Sequence, residues 1–382
     1  MVMFTEGKVR LRLSALEGDQ KAQVFYNARM NLNRDLAILF ASSYFPAGKH
    51  LRICDPMTGS GVRAARYIVE SENVASVVAA DKDPEALEYA RMTVQLNALQ
   101  GKVTVIESDA NVLLQKHIQE RFDLVDLDPF GSPAPFLESA ARATADGGVI
   151  ATTATDMGPL TGARPAACVR KYGTRPIRVE FEKEMAVRTL AACLASIAVR
   201  LELGIKVAFS HASDHYARIY AEILKGRPFA NISTKTLGFI EYCSTCLRRD
   251  SRLSLNMIRT ACEDCGSKTS IGGPIWLGSL WDTNTLAEMI QRTPTLESSR
   301  LSEVQRILAC IDDERVAPPF HHRIDSISRI LGKKPPGLKQ VLDTFREAGY
   351  HTTRTHFHPN GFRTEATNSE IISIMRSLSR EA

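Results

Sequence analysis

The sequence shows none of the compositional extremes that mark membrane proteins, collagen-like fibres or disordered chains. Of its 382 residues, 44% are hydrophobic and 24% are charged, as in an ordinary globular protein. At roughly 150 residues per domain, this length suggests two to three domains. Charged residues are spread through the first 20 positions, and no apolar segment there resembles a secretory signal. We therefore expect a cytoplasmic protein that does not associate with a membrane.

The net charge is also small, at +5, but it is unevenly distributed. Residues 51–150 carry 9 basic and 15 acidic side chains, whereas residues 151–235 carry 13 basic and 7 acidic ones. An acidic segment with basic flanks favours a polyanionic partner. The candidate contacts form two groups: Arg164, Arg170, Lys171, Arg175, Arg178, Lys183 and Arg188; and Lys333, Lys334, Lys339, Arg346, Arg354 and Arg363 with His321, His322, His351, His356 and His358.

Four of the eight cysteines form two closely spaced pairs. Cys243 and Cys246 are followed, after fifteen residues, by Cys262 and Cys265. This spacing is typical of a zinc ribbon, in which four thiolates surround one structural zinc ion and leave no position for water. The alternative is that they are reduced, buried thiols. The other four cysteines are scattered and are expected in the core.

From residue 51 onwards, apolar strands alternate with helices. Strands are predicted at 51–54, 75–80, 103–107, 122–127, 147–153, 205–210 and 216–224, and helices at 31–45, 62–71, 84–99 and around 190–201. This alternation predicts a doubly wound parallel sheet. Because the last strand can pair antiparallel with its predecessor, we expect the Rossmann-like fold of class I S-adenosylmethionine-dependent methyltransferases.

The alternation stops near residues 230–240, where we place a domain boundary. We expect a methyltransferase domain at 1–235, with an N-terminal extension at 1–48, and a smaller α+β domain at 236–382 that contains the zinc ribbon. Two predicted helices and a strand at 350–357 suggest a winged-helix-like unit there.

Three acidic residues lie just past the ends of successive predicted strands. Asp55 opens the loop Asp55-Pro-Met-Thr-Gly59-Ser-Gly61-Val-Arg63, which leads into a helix. Such glycines let the backbone approach a ligand, and the helix N-terminus offers free N–H groups. Asp81 is placed to bind ribose hydroxyls, and Asp109 with Ala110 to bind an adenine edge. NAD and S-adenosylmethionine both fit this arrangement.

The fourth strand distinguishes the two cofactors, because it ends in Asp128-Pro129-Phe130-Gly131. An acid–proline–aromatic motif at this place resembles that of methyltransferases acting on exocyclic base amines. A carboxylate and a carbonyl that accept the amine hydrogens direct the nitrogen lone pair at the methyl group. Phe130 can stack on a flipped base. The nearby Asp126 and Asp123 are interpreted as structural.

The sequence as a whole resembles the archaeal and eukaryotic tRNA (guanine-26 N2) dimethyltransferases. The resemblance rests on seven segments: 24–27 with 30–35, 55–63, 126–131, 153–157, the four cysteines, 276–282 and 355–357. It implies tRNA as substrate, S-adenosylmethionine as cofactor, and Asp128 as the catalytic carboxylate between Phe25 and Phe130. It also implies that Arg34, Arg63, Asp81, Asp109 and Ala110 surround the cofactor. Ser279 and Arg363 depart from the family pattern, in which proline and lysine are expected.

From the residues alone, other interpretations stay open. Phe25 suits a hydrophobic staple for the following helix, and Arg34 suits a solvated helix surface. The chain as a whole suits a DNA or rRNA amino-methyltransferase, or a non-catalytic zinc-ribbon protein on a methyltransferase scaffold. No obligatory protein partner is evident.

Overall fold

An N-terminal hairpin precedes the main sheet in the computed structural model, which describes residues 2–13, 26–213 and 215–378. Strands β1 (Val2–Glu6) and β2 (Val9–Leu13) pair antiparallel. Along β2 the apolar side chains are buried and the two arginines are exposed, as their alternation predicts. Helix α1 (Asn31–Tyr44) follows and matches the helix predicted at 31–45 within one residue.

The predicted alternation of strands and helices is confirmed from residue 51 onwards. The elements are β3 (Leu51–Asp55), α2 (Val62–Glu70), β4 (Val74–Asp81), α3 (Pro84–Leu96), β5 (Val103–Glu107), α4 (Ala110–Lys116), β6 (Phe122–Leu127), α5 (Leu137–Ala143), β7 (Thr144–Ala154), α6 (Met157–Leu160), α7 (Pro165–Tyr172), α8 (Glu182–Arg200), β8 (Leu203–Ser213) and β9 (Tyr216–Lys225).

Seven strands of the described chain form one sheet in the order β5-β4-β3-β6-β7-β9-β8. Strands β3 to β7 pair in parallel, whereas β9 runs antiparallel to both of its neighbours. This is the predicted methyltransferase arrangement. The strand order reverses at β3, so the carboxyl ends of β3, β4 and β6 border one crevice, which is where such sheets bind ligands.

The remaining chain forms two small sheets and further helices. Its elements are α9 (Arg227–Thr236), β10 (Leu237–Tyr242), β11 (Arg249–Arg252), β12 (Ser270–Trp276), α10 (Thr283–Arg292), α11 (Leu301–Glu314), β13 (His322–Arg323), α12 (Ile324–Leu331), α13 (Leu338–Glu347), β14 (Thr352–Arg354), β15 (Gly361–Thr364) and α14 (Asn368–Leu378). The sheets have the orders β11-β10-β12 and β13-β15-β14. None of the helices in the described ranges is long and apolar enough to cross a membrane.

The hydrophobic core crosses the predicted domain boundary in both directions. Trp276, Trp281 and Leu286 belong to the cluster beneath the seven-stranded sheet. Conversely, Phe181 and Met185, near the start of α8, pack with the C-terminal helices. The two regions therefore share buried apolar surface, and the division at residue 235 stays a prediction.

Candidate functional site

The loop after β3 is shaped by one buried carboxylate and one glycine. Asp55 is 1% exposed and accepts a hydrogen bond from the Thr58 hydroxyl at 2.8 Å. Burial raises the pKa of Asp55 to about 7, although the guanidinium of Arg63 opposes the shift. Gly61 begins α2 in the left-handed region at φ 74°, and a Cβ there would lie 2.9 Å from the backbone of Ala90. Only glycine lets this loop pack so closely on α3.

The two other strand-end acids lie at the same edge of the sheet. Asp81 accepts the backbone N–H groups of Gly59 and Asp83, each at 3.0 Å, so it also fixes the glycine loop. Asp109 is exposed and caps α4 by accepting two backbone N–H groups, while Ala110 is buried directly behind it. A carboxylate has about four lone-pair sites. Both acids therefore keep capacity for a ligand in the crevice.

The acid–proline–aromatic motif forms the next rim of the crevice. Asp128 follows β6 with its side chain 18% exposed, and Arg63 donates a hydrogen bond to its Oδ2. The ring of Phe130 is 81% exposed. Gly131 donates its N–H to the Thr155 hydroxyl at 2.7 Å, and the Thr155 N–H returns a bond to Gly131 at 2.9 Å. These two hydrogen bonds hold the motif against the segment that follows β7.

Asp126 lies one pleat deeper in β6 and is fully buried. Both of its oxygens accept hydrogen bonds from Nη2 of Arg218 at 2.8 Å. Its Oδ2 also accepts hydrogen bonds from the Tyr67 hydroxyl at 2.7 Å and from Nη1 of Arg63 at 3.2 Å. Burial alone would raise the pKa of Asp126, but Arg218 and Arg63 outweigh it and hold the pKa below its usual value. Its partners support the structural interpretation of Asp126.

Arg63 connects this buried carboxylate to Asp128. Its Nη1 faces Asp126, while its Nη2 faces Asp128 and also donates to Asn33 Oδ1 at 2.8 Å. Thr153 joins the group, since its hydroxyl accepts Asn33 Nδ2 at 3.3 Å and Arg218 Nη1 at 2.6 Å. A fixed guanidinium therefore orients the partly exposed carboxylate of Asp128 at the crevice.

The sequence reasoning assigned no role to Asn33, Tyr67 or Arg218. They lie on three different elements, and of the three only Asn33 belongs to a segment that carries the family resemblance, residues 30–35. That segment was the available signal for Asn33, whose burial on α1 only the structure shows.

Arg34 is bound by the N-terminal hairpin rather than left free for a ligand. Arg34 is 5% exposed and donates to both oxygens of Glu6, with Tyr26 beside it. The two arginines around Glu6 overcome its burial and lower its pKa to about 2. The predicted cofactor role of Arg34 stays a prediction, and Phe25 lies outside the described residues.

The four paired cysteines converge beside the β10–β12 sheet. Their sulfur atoms all lie within 4.8 Å of one another, with two Sγ–Sγ distances of 3.5 Å. A disulfide needs about 2.05 Å, whereas a tetrahedral zinc with Zn–S bonds of about 2.3 Å separates its sulfurs by about 3.8 Å. Each pair lies on the same kind of turn, closed by Leu247 at φ 63° and Gly266 at φ 69°. The arrangement fits a zinc ion.

The prediction of polyanion contacts is wrong for Arg188, His321, His356 and Arg363. All four side chains are 5% exposed or less. They surround two buried carboxylates: Arg363 donates to Glu184 at 2.9 Å and to Glu314 at 2.7 Å. Arg188 and His321 also bind Glu184, and His356 binds Glu314. In contrast, Arg164, Arg170, Lys171, Arg175, Arg178, Lys334, Lys339, Arg346 and Arg354 are exposed.

Known proteins resemble the chain over its full length. A tRNA (guanine(26)-N(2))-dimethyltransferase of Methanothermobacter thermautotrophicus is 33% identical and covered completely by the alignment, as is this chain. A tRNA (guanine(26)-N(2)/guanine(27)-N(2))-dimethyltransferase of Aquifex aeolicus is 34% identical over 93% of this chain and 90% of its own.

A solved structure agrees in fold. Trm1 from Pyrococcus horikoshii in complex with S-adenosyl-L-methionine superposes with a TM-score of 0.88 and 29% identity, covering 98% of this chain and 99% of its own. A sequence model of N2,N2-dimethylguanosine tRNA methyltransferases matches residues 7–376. The chain belongs to the N2,N2-dimethylguanosine tRNA methyltransferase family.

Proposed function

We propose that this chain transfers methyl groups from S-adenosylmethionine to the exocyclic N2 of a guanine in tRNA, forming dimethylguanosine at position 26. The observation that carries the proposal is the position of Asp128 and Phe130 at the carboxyl end of β6, beside the glycine loop after β3. Family membership over the full length supports the substrate, because the curated relatives are tRNA guanine-26 enzymes.

The crevice has the donor and acceptor set that S-adenosylmethionine requires. Asp81 can accept hydrogen bonds from the ribose hydroxyls, and Asp109 and the backbone at Ala110 can bind the adenine edge. The guanidinium of Arg34 or Arg63, the two arginines that the family resemblance places around the cofactor, can meet the methionine carboxylate. The tight packing of Gly61 on Ala90 brings the N-terminus of α2 to the crevice. When bound, the cofactor supplies an electrophilic methyl group on a sulfonium. The residues present fit this group.

Asp128 is proposed to orient and deprotonate the target amine. The lone pair of an aryl amine is delocalised into its ring, so the nitrogen is a weak nucleophile until its hydrogens are held by acceptors. Asp128 is oriented for this by Arg63 and is open to the crevice. The methyl group would leave the sulfonium sulfur as the N–C bond forms, and the nitrogen then gives up a proton, which the carboxylate is placed to accept. A second transfer repeats this with the remaining N–H.

Phe130 is proposed to support the flipped base. Its ring is 81% exposed although it is a large apolar side chain. Aromatic side chains at such positions stack on nucleobases that have left the helix. Phe25 is proposed as the opposite face, on the strength of the family resemblance.

The four cysteines are proposed to hold a structural zinc, since four thiolates leave no vacancy for water. We also propose a cytoplasmic location, where tRNA is available.

The proposal is tested by locating the modified nucleotide. An unmodified tRNA transcript is incubated with the enzyme and S-adenosylmethionine, digested and analysed by nucleoside mass spectrometry. We expect N2,N2-dimethylguanosine from a transcript with guanine 26, and none from the same transcript with adenine there. Absence of any N2-methylated guanosine would refute the proposal. Equal product from both transcripts would refute the assignment to position 26.

A variant that lacks the carboxylate of Asp128 tests its proposed catalytic role. Asp128→Ala should abolish detectable methyl transfer while cofactor affinity, measured by calorimetry, stays within a few-fold, because the ribose and adenine contacts lie on other strands. Unchanged turnover would contradict the catalytic role of Asp128.

A further inference from the structure

A stretch of the chain directly after β7 is strongly basic. Residues 157–179 contain five basic side chains and no aspartate or glutamate. Arg164, Arg170, Lys171, Arg175 and Arg178 are all exposed. We call residues 164–178, which comprise α7 and the extended segment after it, the basic bridge.

Among the described residues, the arginines of the basic bridge lack the ion pairs that the arginines near the four paired cysteines make. Lys171 pairs with Asp156 at 2.8 Å, but no carboxylate of the described chain lies within 4.0 Å of the four guanidinium groups. By contrast, Arg248, Arg249 and Arg252 each pair with at least one acid. The positive charge of the bridge is therefore not neutralised by the protein itself, and it favours an anionic ligand.

One end of the basic bridge is attached to the catalytic motif. Asp156 accepts hydrogen bonds from Lys171 and from the Tyr172 hydroxyl, which fixes α7 to the segment after β7. The adjacent Thr155 exchanges two hydrogen bonds with Gly131, the last residue of the acid–proline–aromatic motif. The basic bridge thus has a fixed position relative to Asp128.

The other end is attached to the sheet that carries the cysteine site. Arg175 and Gly273 exchange two backbone hydrogen bonds of 2.9 Å, and the Thr174 hydroxyl donates to the Pro274 carbonyl at 2.7 Å. A Cβ on Gly162, just before the bridge, would lie 2.8 Å from the Ile177 carbonyl, so the segment also folds tightly on itself. The backbone is anchored at both ends while the arginine side chains face solvent.

We infer that the basic bridge binds the phosphates of the RNA strand next to the flipped guanine. This inference rests on the proposed function. Guanidinium groups match phosphate oxygens with two parallel hydrogen bonds. A base can enter a pocket only if the backbone beside it is held, and phosphate contacts supply that register. Because the backbone of the basic bridge is already anchored, less conformational entropy is lost when its arginines bind phosphates.

The experiment measures binding of an unmodified tRNA transcript as a function of salt. The test variant combines Arg170→Gln, Arg175→Gln and Arg178→Gln. The control variant combines Lys102→Gln, Lys116→Gln and Arg121→Gln, which lie at the opposite edge of the sheet, before β5, at the end of α4 and before β6. Both variants lose three positive charges, so the net charge of the protein changes by the same amount in each.

We expect the bridge variant to bind at least about tenfold more weakly, with a log–log salt slope shallower by about two, since each lost phosphate contact removes nearly one unit. The control should stay within about twofold of the wild type. Equal losses in both variants would overturn the inference. Weaker binding with an unchanged salt slope would overturn it too, because that pattern does not come from phosphate contacts.

The same variants separate this inference from the proposed function. The binding assay requires no methyl transfer, so the salt slope can fall even if the wild type methylates no guanine, in which case only the function is refuted. If the wild type methylates guanine 26 and the bridge variant keeps the wild-type slope, only the phosphate-binding role is refuted.

Discussion

Among the groups of buried arginines and carboxylates in the described chain, two differ most clearly in whether they reach the surface. The site cluster comprises Asp126, Arg218, Arg63 and Asp128. The interior cluster comprises Glu184, Glu314, Arg188 and Arg363 together with His321 and His356. Every side chain of the interior cluster is 5% exposed or less, whereas the site cluster ends at Asp128, which is 18% exposed. Both resemble active sites in composition, but only the open one can meet a substrate.

The interior cluster holds α8 against the C-terminal region. Its carboxylates lie on α8 and at the end of α11, and Arg363 on β15 bridges them. Burial opposes ionisation, but Arg363 and His356 outweigh it and lower the pKa of Glu314 to about 2. Removing one member of such a cluster leaves an uncompensated buried charge. The comparison therefore predicts that the interior cluster affects stability alone and the site cluster affects stability and chemistry.

The largest effect is expected from Arg218→Met. It removes the partner of both Asp126 oxygens, so we expect a loss of about 3–5 kcal/mol in unfolding free energy. Arg63 would then turn towards Asp126, and methyl transfer by the folded fraction should fall by about tenfold or more because Asp128 is no longer oriented. Calorimetry and single-turnover assays at low temperature measure the two losses. Arg218→Lys, which keeps the charge, should recover stability more than rate. A stable variant with the wild-type rate would contradict the positioning role.

Arg363→Met is expected to lower the unfolding free energy by a similar amount, about 3–5 kcal/mol, without slowing methyl transfer by the folded protein. It leaves Glu184 and Glu314 facing each other across the position of the lost guanidinium. Chemical denaturation gives the stability, and the single-turnover rate is measured where the variant is fully folded. A tenfold loss of rate in folded protein would remove the distinction between the two clusters.

Removal of zinc should have an intermediate effect. Chelation, or Cys262→Ser, takes away the ion that joins two turns of the β10–β12 region, so we expect a fall of several degrees in thermal midpoint. Metal analysis and scanning calorimetry on the same samples provide the check. Cys310→Ser is a matched control outside the cysteine site. Equal stability of metal-free and metal-loaded protein would contradict a structural role.

The smallest effect is expected from Phe130→Ala. The exposed ring contributes little to folding, so the stability should not change. Loss of one stacking contact costs about 1–3 kcal/mol of base binding, which corresponds to a roughly tenfold rise in KM for tRNA at unchanged cofactor affinity. Phe229→Ala, another exposed aromatic, is the control. Equal loss of tRNA and cofactor binding would argue against stacking.

The sequence predicted the sheet and the acids at its edge well, because both follow from local patterns. Apolar runs between helices identify the strands, and Asp55, Asp81, Asp109 and Asp128 each lie at the end of one or within two residues after it. One local clue was left unused: Arg188 lies one turn after Glu184, a spacing that suggests an ion pair rather than a free surface charge.

The contacts between distant segments were not predictable from local pattern. Arg363 finds its partners 49 and 179 residues away, so nothing near it in the sequence distinguishes a buried charge from a surface one. Likewise Arg218 meets Asp126 only because β9 inserts beside β7. Charge counts therefore identified basic segments correctly but could not tell which of their members reach solvent.

The comparison of single-turnover rates for Asp128→Asn and Glu314→Gln tests the central claim most directly. Both substitutions replace a carboxylate by its amide, each bound by one arginine, and both are assayed folded with tRNA and S-adenosylmethionine saturating. We predict a rate about a thousandfold lower for Asp128→Asn, from loss of proton acceptance and orientation, and a rate close to that of the wild type for Glu314→Gln. An Asp128→Asn rate within about tenfold of the wild type, or equal losses in both variants, would contradict the assignment of the chemistry to the open cluster.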